Sequence, residues 1–514
     1  MNFTNRQLCR IFILLLLSTV FSGCATVSFE QPKTYSETIT DTVDTRLGKS
    51  IQQWSAEHEG LSGIYPLSQG MDALGARLRL AEIAERSIDL QYFLMKDDTA
   101  GLVMLNALLK AADRGVRVRF LLDDIFTTSA DRTLILLNQH PNIEVRLFNP
   151  ISRRGLSSGL NFVGDFRQAN RRMHNKSFTV DNQISIVGGR NIADEYFQLK
   201  TDSVFIDFDV LAMGPIAAEI SETVDLYWNH TRAVPMEQVA DNKTDEDLET
   251  VRASIAEEFD GAYDRVYGQA LESQLLQDLI ANREPFYPAY AVVLSDSPDK
   301  LINDIGEEHM QLANDLLDVL HSAREEIIFI TPYYVPGKGG VELMRQLVDK
   351  GVRVIVLTNS LASNNHTPVH SGYARYRKDV IRAGVELYEA RANAAGETQG
   401  AIEGVDTMTL HTKAFLIDDR YLFVGSLNLD PRSIEINAEM GLLIDSPEIV
   451  SGFTDRADER LANLAYRVVL NDQGQLEWHG RVDGEDVIET HEPLASPWLR
   501  FKAWILRIAP ESQL

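Results

Sequence analysis

The chain has 514 residues, with 49 Lys plus Arg against 75 Asp plus Glu and a formal net charge of −26. That charge disfavours nucleic acid as a partner, and the length exceeds what one hydrophobic core usually fills, so two domains are expected. The two cysteines, Cys9 and Cys24, exclude a disulfide framework and any thiolate-rich zinc or iron–sulfur site.

At the amino end, Arg6 and Arg10 precede an apolar run over 11–20, followed by Phe21-Ser22-Gly23-Cys24. The run is too short for a mature membrane span, which needs roughly 20 residues, but suits a secretory signal, so residues 1–23 read as a signal peptide. Small residues before Cys24 resemble a bacterial lipobox. The resemblance implies cleavage before Cys24, its acylation, and a lipoprotein facing the periplasm. Ala25 after the cysteine is the pattern associated with the outer membrane rather than the inner one. A plain secretory signal with an incidental cysteine is the alternative. Residues 24–50 are polar and rich in Thr and Ser, as expected of a tether.

Two tandem halves follow. In the first, 51–236, a helix is predicted over 80–85, a strand over 87–93, a helix over 101–113 and a strand over 115–124. The acidic segment 237–285 reads as a helical bridge. In the second, 286–475, the order repeats: a helix to about 323, a strand over 327–330, a helix over 340–349 and a strand over 351–358. Gly351 follows Gly115 by 236 residues. The fold class is therefore α/β, two lobes each with a mixed sheet flanked by helices and related by pseudo-twofold symmetry.

The chemistry lies later in each repeat. The first half carries His174-Asn175-Lys176, Asp181 and Gly188-Gly189-Arg190-Asn191. The second carries His411-Thr412-Lys413, Asp418 and Gly425-Ser426-Leu427-Asn428. The two histidines stand 237 residues apart, almost the spacing of the glycines. Composition alone would give roughly 0.02 copies of His-x-Lys-x4-Asp, so two in register belong to the duplicated unit. Strands are expected over 176–180 and 411–417, with His and Lys on one face and each Asp in the following turn. Brought together, the two faces gather two imidazoles, two ammonium groups and the amides of Asn191 and Asn428, which makes a phosphate pocket. One neutral imidazole would attack phosphorus, the other, protonated, would donate to the leaving oxygen, and the cations and amides would stabilise the equatorial oxygens. No metal or other cofactor is called for. The alternative for Asp181 and Asp418 is that they cap turns and support the site from outside it.

The tail, 476–514, places Trp498, Phe501, Ile505 and Ile508 at helical spacing after Ser496-Pro497, with Arg500, Lys502 and Arg507 among them. It suits an amphipathic interfacial helix, or a terminal helix packed on the second lobe.

The duplicated motifs resemble the phospholipase D superfamily, over about residues 70 to 470. The resemblance implies a bilobed enzyme with a phosphohistidine intermediate, and catalytic roles for His174, Lys176, Asp181, His411, Lys413 and Asp418. It also implies substrate-phosphate binding by Asn191, Ser426 and Asn428, and carboxylates that orient the histidines, for which Asp207 and Glu439 are the matching positions. Gly189 stands where Ser is usual. The surrounding segments, Arg171-Arg172-Met173, Ile192-Ala193-Asp194-Glu195-Tyr196, Leu429-Asp430-Pro431-Arg432-Ser433 and Val369-His370-Ser371-Gly372-Tyr373, are similar to bacterial cardiolipin synthases, in particular the C type. This implies phosphatidyl transfer between phospholipids, with phosphatidylglycerol and phosphatidylethanolamine as substrates, an accessory protein as a possible partner, and His370 and Tyr373 as candidate headgroup contacts. The other readings are a hydrolase releasing phosphatidic acid and a catalytically silent lipid-binding lipoprotein. A nuclease ranks lower on charge.

Overall fold

The computed structural model describes residues 29–508 except 31, 126–130, 152–165, 200–202, 240–246, 259–265, 267, 271–285, 307–308, 395–406, 456 and 483. The expected signal peptide and Cys24 lie outside the described residues, as does much of the bridge, whose described parts include the helices Met236–Val239 and Leu248–Glu258.

The first half contributes β1 Ser62–Leu67, β2 Ser87–Tyr92, β3 Arg117–Asp123, β4 Ile143–Phe148, β5 Ser177–Val180, β6 Ile184–Gly188, β7 Ser203–Ile206, β8 Asp209–Met213 and β9 Ala233–Pro235. The second contributes β10 Tyr287–Ser295, β11 Glu326–Ile330, β12 Arg353–Asn359, β13 Glu386–Ala390, β14 Thr407–Leu410, β15 Ala414–Ile417, β16 Tyr421–Gly425, β17 Met440–Asp445, β18 Ala465–Leu470, β19 Leu476–Val482 and β20 Glu485–Glu489.

In the first sheet the order is β9-β4-β3-β2-β5-β6-β8-β1, with β2, β3 and β4 parallel and the rest antiparallel. The second repeats it as β18-β13-β12-β11-β15-β16-β17-β10, with β11, β12 and β13 parallel. Antiparallel pairing of β1 with β10 joins the two into one mixed sheet. β2 and β5 are buried along their whole length, as strands in the middle of a sheet covered on both faces must be. A core shared by the halves packs Ile64, Val187 and Val210 with Leu416, Val424 and Leu442.

The repeated glycines have a local cause. Gly115 (φ 94°) and Gly351 (φ 91°) end the helices Thr99–Asp113 and Gly337–Asp349 in the left-handed conformation. There Gly115 N donates to Ala112 O and Val116 N to Ala111 O, and Gly351 N to Val348 O and Val352 N to Leu347 O. The strands predicted from 115 and 351 consequently begin at Arg117 and Arg353. The helix expected over 80–85 runs Gly70–Ile83, because the amides of residues 85–87 are taken by the Asp181 carboxylate instead.

Two boundaries differ from expectation. The described part of the 24–50 tether is a strap on the first half that passes into the helix Arg46–Glu57. Arg119 donates to Ser36 O and Thr38 Oγ1, Arg146 to Thr34 O, and Trp228 Nε1 to Ser36 Oγ. Its backbone carbonyls, with the hydroxyls of Ser36 and Thr38, satisfy buried guanidinium and indole groups. Residues 476–489, assigned to a tail, form β19 and β20, which extend the second sheet beyond β18. The terminal helix Pro497–Leu506 starts where Ser496 Oγ accepts from Leu499 N.

Candidate active site

The site is built where the halves exchange backbone hydrogen bonds. His174 N donates to Ala438 O at 2.8 Å and Ala438 N to Arg172 O at 3.0 Å. His411 N and Thr412 N both donate to Ile206 O, at 2.7 and 3.0 Å, beside the parallel β7–β14 pair. This cross-half pairing is why β5 and β15 begin only at Ser177 and Ala414. The His-x-Lys segments precede the strands rather than lying within them.

Each histidine therefore lies beside the other half's carboxylate. His174 Nδ1 is 2.8 Å from Glu439 Oε2, and His411 Nδ1 is 2.6 Å from Asp207 Oδ2. Both carboxylates lie below their usual range, since the neighbouring imidazole and lysine outweigh the burial that would raise them. An ionised carboxylate on Nδ1 fixes the hydrogen there and leaves Nε2 with its lone pair. Burial is the main force pushing both imidazoles down to about 4, aided at His411 by Lys413. Burial likewise lowers Lys176 to about 7 and Lys413 to about 8. Each lysine donates to the carbonyl of its own motif histidine at 2.6 Å. Lys413 also stands 3.0 Å from His411 Nδ1, whereas Lys176 lies over the Phe93 ring at 5.4 Å.

Further residues hold these groups in place. Asp123, at the end of β3, accepts from Met173 N at 2.9 Å and from Arg172 at 3.1 Å. Asp296 accepts from Glu439 N at 3.1 Å. Arg190, fully buried, donates to Asp207 O at 2.6 Å and to Leu67 O and Ser68 O. Phe93 meets His174 edge-on at 4.8 Å, and His411 is stacked on Phe205 at 5.3 Å with Tyr196 edge-on at 5.1 Å.

Both histidines open onto one cavity of about 600 Å³, also lined by Asn191, Asn428, Tyr196, Arg172, Asp430, Arg432 and His366. Asn191 Nδ2 donates to Tyr196 OH and Asn428 Nδ2 to Ser433 Oγ, in each case five residues on, and each Nδ2 keeps a second hydrogen.

Three expectations need correction. Asp181 and Asp418 do not reach the cavity. Their carboxylates accept the backbone amides of residues 85–87 and 324–326, at strand starts about 16 Å along the chain from the lysines. Ser426 is not among the cavity-lining residues: its hydroxyl donates to Glu439 Oε2 at 2.5 Å, so it steadies the carboxylate that holds His174. In the first half a Cβ on Gly189 would fall 2.1 Å from Asp207 Oδ1, so the shorter carboxylate occupies the space of the missing serine side chain. His370 and Tyr373 face the core behind the cavity, where Arg377 bonds His370 Nε2 at 3.0 Å and Tyr373 OH donates to Glu389 at 2.8 Å. Pro368 and Val369 of the same helix, with His366 just before it, line the cavity instead.

Asp430 and Arg432 line the cavity but are not among the sequence-predicted site residues. The signal was available: at the 237-residue offset they match Ala193 and Glu195, so the two repeats differ in charge at these positions. Asp430 is 3% exposed, accepts from Ser433 N at 2.8 Å, and is raised by burial to about 7.

A family model described as "Cardiolipin synthase, PLD-like domain" matches residues 78–228 and 316–461. Cardiolipin synthase C of Escherichia coli (strain K12) is 39% identical over 468 residues, spanning 90% of this chain and 98% of that protein. A cardiolipin synthase of Oceanobacillus iheyensis is 24% identical over 408 residues, 78% of this chain and 69% of that one. The crystal structure of phosphatidylserine synthase from Haemophilus influenzae Rd KW20 matches with a TM-score of 0.53 at 13% identity, over 90% of this chain and 100% of that chain. That likeness is one of fold.

Proposed function

The chain belongs to the cardiolipin synthase family with phospholipase D-like domains, and from that premise we propose that it is a phosphatidyltransferase working through a phosphohistidine intermediate. The observation that carries the mechanism is the pair of histidines on one cavity, each with Nδ1 on a buried carboxylate of the opposite half.

Nε2 of one neutral imidazole attacks phosphorus and the bond to the leaving headgroup oxygen breaks, while the second histidine supplies that oxygen's proton. The negatively charged phosphate offsets the burial that otherwise keeps the second imidazole neutral. Lys176, Lys413 and the amides of Asn191 and Asn428 stabilise the equatorial oxygens. In the second half-reaction an acceptor hydroxyl gives its proton to the same histidine and displaces the nitrogen. Phosphatidylglycerol and phosphatidylethanolamine are the proposed lipids. Asp207 and Glu439 orient the histidines, Ser426 steadies Glu439 as a positioning residue, and Asp181 and Asp418 fasten strands away from the cavity. Acylated Cys24 would anchor the protein in the envelope facing the periplasm, at the outer membrane. An unmodified Cys24 in the mature amino-terminal peptide would refute that anchor.

The test is lipid analysis of a cardiolipin-deficient bacterial host expressing the wild type or His411→Ala. Cardiolipin from the wild type alone is expected. Phosphatidic acid without cardiolipin would make it a hydrolase, and identical lipids from both chains would contradict catalysis by this site, unless coexpression with an accessory protein restores a difference.

A further inference from the structure

The terminal helix Pro497–Leu506 buries only Ala503 among its ten residues. Trp498 is 71% exposed, Phe501 48%, Trp504 62%, Ile505 42%, and Ile508 just beyond it 87%. Five large apolar side chains in one continuous patch are unusual on a surface with nothing to cover them. Arg500, Lys502 and Arg507 lie among them, and no Asp or Glu occurs from 493 to 510 in a chain of net charge −26.

This helix is attached to the wall of the catalytic cavity. It packs on the helix Thr367–Tyr373, and the Arg375 side chain bonds Arg507 O. Pro368 and Val369 of that helix, with His366 before it, line the cavity. Glu492, just ahead of the terminal helix, is held by Arg377 at 2.5 and 3.1 Å, and Arg377 also bonds Glu389 and His370. A buried polar strut thus ties the base of the exposed helix to the cavity wall.

We propose that the terminal helix docks on an anionic phospholipid surface, its aromatic face in the headgroup layer, and thereby holds the catalytic cavity against the membrane that supplies its substrates. The choice of lipid rests on the transferase reading together with the local charge. Aromatic and aliphatic residues interleaved with cations and free of carboxylates complement an anionic headgroup layer. A second copy of this chain would bring the same cations, Arg500, Lys502 and Arg507, against one another.

The chain has five tryptophans, Trp54, Trp228, Trp478, Trp498 and Trp504. The experiment reconstitutes the full chain with vesicles of phosphatidylglycerol and phosphatidylethanolamine carrying brominated acyl chains and follows tryptophan emission. Expected is quenching that is lost in Trp498→Phe/Trp504→Phe, and that persists in catalytically inactive His411→Ala. Docking is thereby read apart from turnover, so failure of the transferase reading does not disguise itself as failure of docking. In a second arm, Phe501→Ser/Ile505→Ser/Ile508→Ser should lose roughly tenfold or more of its activity on vesicles while keeping activity on dispersed short-chain phosphatidylglycerol. Emission from Trp498 and Trp504 that stays open to aqueous iodide with vesicles present would overturn the proposal. Shielding that depends on protein concentration and not on vesicles would overturn it in favour of a second copy.

Discussion

At the scale of single residues, the two buried lysines set an alkaline limit. Lys176 at about 7 is part ammonium and part amine at neutrality, Lys413 at about 8 is mostly ammonium there, both become amines above that range, and only the ammonium form attracts phosphate. The free-enzyme kcat/KM should therefore fall as pH rises through 7 to 8. Lys413→Arg keeps the charge at that position, so its residual activity should lose the limb contributed by Lys413. A pH profile unchanged in shape in that variant would assign the limb elsewhere. Gly189 offers a sharper test, because the family's usual serine there would push Asp207 off His411. Gly189→Ser should lower turnover on the order of a hundredfold, the scale of a general acid–base contribution, with the thermal transition retained. Wild-type turnover would show that Asp207 is not needed where it stands. The two histidines and two asparagines that the structure gathers on one cavity were legible at this scale because the duplicated motif carries their types and spacing. Phe93 and Phe205 were not, since nothing in their local sequence marks them until the fold turns them toward the imidazoles, and Asp430 shows in the sequence only as a departure from Ala193 at the repeat offset.

At the scale of elements, the paired aspartates fasten strands. Asp181 is buried and takes a left-handed φ of 51° to accept amides of residues 85–87, whereas Asp418 makes the corresponding bonds half-exposed. A buried amide left without its charged acceptor costs about 1–3 kcal/mol, so Asp181→Ala should destabilise the chain by a few kcal/mol and Asp418→Ala by distinctly less. Denaturant titration checks the order, and the reverse order would contradict the burial argument. Activity per folded molecule should survive in both. Most parallel strands and their crossover helices could be read in advance, because apolar runs and helix-ending glycines are local signals. The strap before Arg46 could not. Thr and Ser suit a solvated tether as well as they suit a segment that satisfies Arg119, Arg146 and Trp228, and only those distant partners separate the two. The start of β15 was misjudged for a related reason, since the backbone of His411 and Thr412 is claimed by Ile206 from the other half.

At the scale of the whole molecule, neither half contains a complete site. Glu439 serves His174 and Asp207 serves His411, so the reactive centre exists only once the halves have met. Duplication showed that there would be two of each group. The crosswise assignment had to wait for the structure, because it depends on which backbone segments pair. The halves also meet as unequal partners: Asp430 and Arg432 match Ala193 and Glu195 at the repeat offset, and Ser426 supports one carboxylate while Gly189 makes room for the other. The central claim is that one histidine of this composite site carries the phosphatidyl group between lipids. Its most direct test is a rapid alkaline quench of the full chain turning over on phosphatidylglycerol, followed by peptide mass spectrometry. A phosphatidyl adduct on the peptide containing His174 or His411, absent when that histidine is alanine, is the predicted result. Sustained turnover with neither peptide modified, or normal turnover in both alanine variants, would contradict it.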